Sequence, residues 1–178
     1  MANTTFSGPV RSKNGFINTG PGAIKALTLA TDLTVADHAG RLITMDPAGT
    51  PTAITIPSII STADAAVAGA SDPNNASTIG TTFEILFIDN FTGTIKTANT
   101  ADKFVGAVTL GITASTAGKQ FQVATNNNEV NLNGEAGTAT TGGLKGSIIK
   151  FTAIAANLYA VEGQLLAAGV LATPFDNQ

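Results

Sequence analysis

The chain has 178 residues, a net charge of −3, 43% hydrophobic side chains and only 12% charged ones. That is the length of one domain, and its apolarity excludes intrinsic disorder, which needs low hydrophobicity and high charge. The nine Lys and Arg lie scattered along the chain, so no basic stripe exists to neutralise phosphates, and no apolar run approaches the roughly 20 residues of a membrane span.

Other classes fall for want of residues. Cysteine is absent, which removes disulfides, thiolate metal sites and Cys nucleophiles together. The opening residues lack the apolar core of a secretory signal. Few charges remain to solvate an outer surface, so part of the exterior is expected to meet protein.

Residues 1–22 form the first predicted unit. Gly8-Pro9, Asn14-Gly15 and Gly20-Pro21-Gly22 break any helix or long strand. Phe6, Val10, Phe16 and Ile17 between them are too apolar for a solvated tail. The reading is an extended N-terminal arm that docks on a neighbouring subunit.

From Ala23 the apolar period becomes two, the signature of short strands. Leu27 and Leu29 flank Thr28, Leu42 and Ile43 sit in the run 41–45, and Ile54 and Ile56 flank Thr55. Turn signals end each run: Ala39-Gly40, Asp46-Pro47-Ala48-Gly49 and Pro57. Residues 58–70 are Ala-rich with helical spacing at Ile59, Ile60, Ala63 and Val67, which predicts one or two helical turns. A surface loop follows over 71–80. Phe83, Ile85 and Phe87 share one strand face and Glu84, Leu86 and Ile88 the other, so both faces are expected to be covered at that strand's end.

Asn90-Phe91-Thr92-Gly93 predicts a hairpin turn. Alternation then continues through Phe104, Val108 and Leu110, through Phe121 and Val123, and through Val130 and Leu132. It ends with Ile149 and Phe151, then Tyr159 and Val161. The expected fold is all-β: an antiparallel β-sandwich, jelly-roll-like or barrel-like, over 23–178, preceded by the arm. Its predicted core is Leu27, Leu29, Ile43, Ile54, Ile56, Phe83, Ile85, Phe87, Phe104, Val108, Phe121, Val123, Ile149, Phe151, Tyr159 and Val161.

The search for chemistry yields little. The single histidine, His38, lies at the turn signal Asp37-His38-Ala39-Gly40 and reads as structural. Zinc sites of the usual kinds need several His or Cys. Gly134–Gly146 is glycine-rich, but Leu144 precedes Lys145 and Gly146 follows it, which breaks the phosphate-loop pattern. That stretch reads as a long flexible hairpin loop. The twelve acidic residues are spread along the chain, and sugar-stacking Trp is absent. The expectation is a protein without catalytic residues, metal or cofactor.

Several stretches carry a resemblance. The opening Phe6-Ser7-Gly8-Pro9-Val10-Arg11-Ser12 resembles the start of many virion structural proteins of tailed bacteriophages, marine ones especially. Gly40-Arg41-Leu42-Ile43-Thr44-Met45-Asp46, followed by Ala53-Ile54-Thr55-Ile56-Pro57, is similar to a recurrent strand pair of that group. So is the C-terminal series from Ile148-Ile149-Lys150-Phe151 through Tyr159-Ala160-Val161-Glu162-Gly163 to Ala172-Thr173-Pro174-Phe175.

The resemblance implies a capsid decoration (cement) protein, a homotrimer on the outside of the phage head that binds the major capsid protein. Its location would be the virion exterior, reached from the host cytoplasm during assembly. Neither nucleic acid nor membrane is an expected partner. Phe6, Val10, Arg11, Phe16 and Ile17 of the arm are the candidate capsid- or partner-binding residues. The alternative is a phage tail, fibre or host-adhesion module, also β-rich.

Overall fold

Alternating apolar residues settle into strands throughout a computed structural model, which describes residues 23–47, 52–60 and 78–178. The first half runs β1 (Ile24–Leu27), β2 (Thr31–Asp32), one helical turn α1 (Val35–His38), β3 (Leu42–Met45), β4 (Thr52–Ile56), β5 (Thr82–Phe87) and β6 (Gly93–Thr97). The second half runs β7 (Lys103–Ile112), β8 (Gly118–Gln122), β9 (Glu129–Leu132), β10 (Ile148–Ala155), β11 (Leu158–Ala167) and β12 (Phe175–Asp176). The all-β expectation is met.

The pairing is mixed where pure antiparallel pairing was expected. One sheet has seven strands in the order β1-β3-β5-β10-β11-β7-β8, the other five in the order β12-β9-β6-β4-β2. Neither sheet closes into a barrel. From Ile24 to Thr97 successive strands alternate between the sheets. β1, β3 and β5 stack in parallel in one, and β2, β4 and β6 stack in parallel in the other. The chain therefore winds as three turns of a flat, two-sided coil. A bend at 28–30 hands the chain from β1 to β2, and the helical turn α1 hands it back to β3. Pro57 lies directly beyond β4, where its missing N–H cannot continue the ladder. The later strands complete the sheets with two hairpins, β7–β8 and β10–β11, and with β9 and β12.

Both inner faces meet in one core. Cross-strand rows stack like on like: Leu27, Met45 and Phe87 in one, and Ile43, Ile85 and Ile149 in the next. The opposite sheet contributes Ile54, Ile95, Val130 and Phe175. The Phe87 and Phe91 rings stack with centroids 4.9 Å apart.

Fifteen of the sixteen predicted core residues are buried or packed against the core. Within that set, Phe121 and Val123 are only half-buried, because β8 is an edge strand. The clear exception is Leu29, 62% exposed at the bend between β1 and β2. Tyr159 completes the core, its body buried and its hydroxyl satisfied.

Three local expectations are corrected. Asn90–Gly93 is no hairpin turn: β5 and β6 belong to different sheets, and Phe91 is buried at the crossing. Gly134–Gly146 is no flexible hairpin loop, because it links β9 of one sheet to β10 of the other and wraps the Phe91 backbone. The Phe91 amide donates to the Gly143 carbonyl at 2.7 Å, and a side chain at Gly134 would come within 2.5 Å of the Phe91 carbonyl. The glycines serve close backbone approach. The outward side of β5 is only half covered, and Ile88 just beyond it is 40% exposed. Of the predicted helical turn, Ser58–Ile60 has no regular structure, and the rest lies outside the described residues.

Candidate functional site: the outer face of the seven-stranded sheet

Burying one face of each strand of the larger sheet turns the alternate residues outward. One outward row crosses all seven strands: Ile24, Leu42, Glu84, Lys150, Glu162, Ala107 and Gln122. The row beside it holds Ala26, Thr44, Leu86, Ile148, Gln164, Thr109 and Gln120. Beyond the first lie Thr82, Thr152, Ala160 and Val105. The face is broad, and its charged side chains are few.

At its centre Lys150 stands between two carboxylates, Glu84 on one neighbouring strand and Glu162 on the other. Its Nζ donates to Glu162 Oε1 at 2.9 Å. That hydrogen bond, then the charges of Glu162 and Glu84, raise the Lys150 pKa above its ordinary value. The amine is held protonated, which suits a charge-pairing role and not a nucleophile's. A shallow depression lined by Glu84, Ile148, Lys150, Glu162 and Gly163 opens here. A second, lined by Val105, Ala107, Gln120 and Gln122, lies toward β8. Large apolar side chains also reach solvent: Ile24 at 50% and Val105 at 43% exposure on this face, and Ile154 at 45% at the bulge that ends β10.

The titratable groups inside the protein serve the fold. His38 closes α1: its Nδ1 accepts the Thr34 amide at 3.0 Å, while the Thr34 hydroxyl caps the turn by accepting from the Asp37 amide. Burial, then the charge of Lys25, lowers the His38 pKa, so the ring is neutral near neutral pH. At the exit of β4, the Ile59 amide donates to Asp102 Oδ2 at 3.1 Å, and the Tyr159 hydroxyl donates to the Pro57 carbonyl at 2.7 Å. Burial raises the Asp102 pKa, and burial together with Asp102 raises that of Tyr159. Both groups pin the exit of β4. No cluster of three or more His, Asp or Glu stands ready for a metal among the described residues.

The arm residues Phe6, Val10, Arg11, Phe16 and Ile17 lie outside the described residues. Alternation in the sequence sets Glu84, Lys150 and Glu162 opposite the core residues of their strands, although the face of Glu84 was expected to be covered. Their alignment in one row depends on the pairing of β5, β10 and β11, which no local signal encodes. No family model matches the sequence, and neither a curated protein nor a solved structure matches it.

Proposed function

We propose that the chain is a decoration (cement) protein of a tailed-phage head, a homotrimer that sits on the outer surface of the expanded shell and bridges copies of the major capsid protein. The observation that carries this reading is the outer face of the seven-stranded sheet. It is wide and shallow, with exposed apolar side chains at Ile24 and Val105, and Ile154 at the bulge that ends β10, around a Glu84–Lys150–Glu162 row in which Lys150 pairs with Glu162. Such a face suits a large protein surface better than a small molecule, which needs a concave pocket. The resemblance of the strand-pair and C-terminal motifs supports the phage assignment.

The mechanism is mass action. A module that binds the expanded lattice, and not its precursor, stabilises the expanded state by its binding free energy. Symmetric repetition multiplies each contact across the shell. The Lys150–Glu162 pair lowers the cost of covering the row, since neither of its charges is stripped of water alone.

Co-sedimentation with expanded heads of the phage that encodes the chain tests this reading. Wild-type chain should pellet with the heads, while Val105→Asp and Ile154→Asp should stay in the supernatant with an unshifted melting temperature. Virions without the chain, or heads that fail to retain it, would overturn the assignment. The three-turn parallel coil favours one second reading, a fibre or adhesion module, because stacked parallel turns build elongated bodies. Copy number separates the two on a stained gel of virions: many per particle for cement, a few for a fibre.

A further inference from the structure

Among the described residues the parallel coil begins without a cap. β1 pairs with β3 on one side only, and among the described residues nothing pairs with its other edge. The Asp46 amide donates to the Leu27 carbonyl, which fixes the phase of this ladder: Leu27 and Lys25 bond toward β3. In a parallel ladder alternate residues bond to opposite sides. The amides and carbonyls of Ile24 and Ala26 therefore point outward from the sheet edge. Proteins blunt such edges or fill them, and this one is flanked by apolar side chains, Ile24 at 50% and Leu29 at 62% exposure.

We infer that this edge is filled by the N-terminal segment, residues 1–22, of a second copy of the chain. The segment enters at the edge itself, directly before Ala23 and β1. Fully extended, its 22 residues reach about 70 Å, enough to cross to a neighbour. It carries Phe6, Val10, Phe16 and Ile17 to cover apolar surface. Charge favours the match by a margin: Arg11 and Lys13 are its only charged side chains, while the first turn of the coil exposes three acids, Asp32, Asp37 and Asp46, against two cations, Lys25 on β1 and Arg41.

Turn chemistry favours a second copy over the chain's own segment. A return onto its own β1 would reverse at Gly20-Pro21-Gly22. Pro-Gly favours type I or II turns, whose twist splays a hairpin. Each copy then gives one segment and receives one, which is how a ring of copies closes. The inference goes beyond the shell-binding reading and needs no shell for its test.

The test uses the purified full chain with light scattering for mass and amide exchange for the edge. The full chain should be a closed oligomer with slow exchange at Ile24 and Ala26. Deleting residues 2–20 should give a monomer that still melts cooperatively, with exchange at both amides at least tenfold faster. Ile24→Lys, which sets a cation against Arg11 and Lys13, should do the same in an otherwise intact chain. A monomeric full chain would overturn the inference, including one whose edge amides are protected, because its own segment would then be the occupant. So would an oligomer that survives the deletion, or one that dissolves on deletion but not with Ile24→Lys.

Discussion

Asp102 holds its carboxyl where water does not reach, with Oδ2 accepting the Ile59 amide and Oδ1 without a partner among the described residues. Burial penalises the ionised form, and the single hydrogen bond from Ile59 offsets only part of the penalty, so the pKa is raised. A carboxyl titrating higher in the folded chain than its unfolded value of about 3.9 stabilises the fold fully below that value. The contribution is lost as pH rises through the folded pKa. Asp102→Asn keeps an oxygen acceptor for Ile59 and carries no charge. Chemical denaturation should show it more stable than wild type near neutral pH, with the gain shrinking toward about pH 3. Asp102→Ala removes the acceptor, and leaving the Ile59 amide unpaired costs about 1–3 kcal/mol. If the Asn variant is less stable than wild type at neutral pH, the ionised carboxylate is being held by something other than Ile59.

The elements show where local sequence signals end. Period-two alternation placed Phe83, Ile85 and Phe87 inward, and likewise Ile149 with Phe151 and Tyr159 with Val161, because burial of one face acts residue by residue. Pairing direction did not follow, since a parallel neighbour comes from tens of residues away and leaves no mark on the strand itself. Thr31 meets Ile54, and Tyr159 meets Phe104. Asn90–Gly93 carried hairpin chemistry, yet the chain crosses between sheets there because Phe91 gains more from stacking on Phe87 inside the core. Of the outer face, alternation showed only that Lys150 and Glu162 oppose core residues; the face of Glu84 was expected to be covered, and the alignment of the three in one row was illegible. Gly106 shows what pairing demands of one position. It sits in the middle of β7 at φ +122, opposite Val161 of β11, and an added Cβ would overlap the Val161 carbonyl oxygen. Gly106→Ala must shift backbone in the middle of a ten-residue parallel ladder. A loss of at least about 2–3 kcal/mol is expected, the sum of positive-φ strain and overpacking. An unchanged urea midpoint would show that β7 and β11 do not pair in this register.

At the scale of the whole molecule, charge is distributed unevenly. The first 22 residues hold Arg11 and Lys13 and no acid, so the remainder of the chain is more negative than the net −3 of the whole. Copies joined by a cationic segment on an acidic body attract through charges near the surface, and salt screens these over about 10 Å at 0.1 M. The apolar anchors Phe6, Val10, Phe16 and Ile17 are not screened, so salt should weaken the association without abolishing it. Sedimentation at increasing protein concentration would measure the effect. Raising sodium chloride from about 0.05 to about 0.5 M should loosen wild-type assembly several-fold. A double variant, Arg11→Gln with Lys13→Gln, should assemble more weakly at low salt and respond little to its increase. Added salt strengthens apolar association, so assembly that tightens with salt, in wild type and double variant alike, would mean that the segment is held by its Phe and Ile side chains alone.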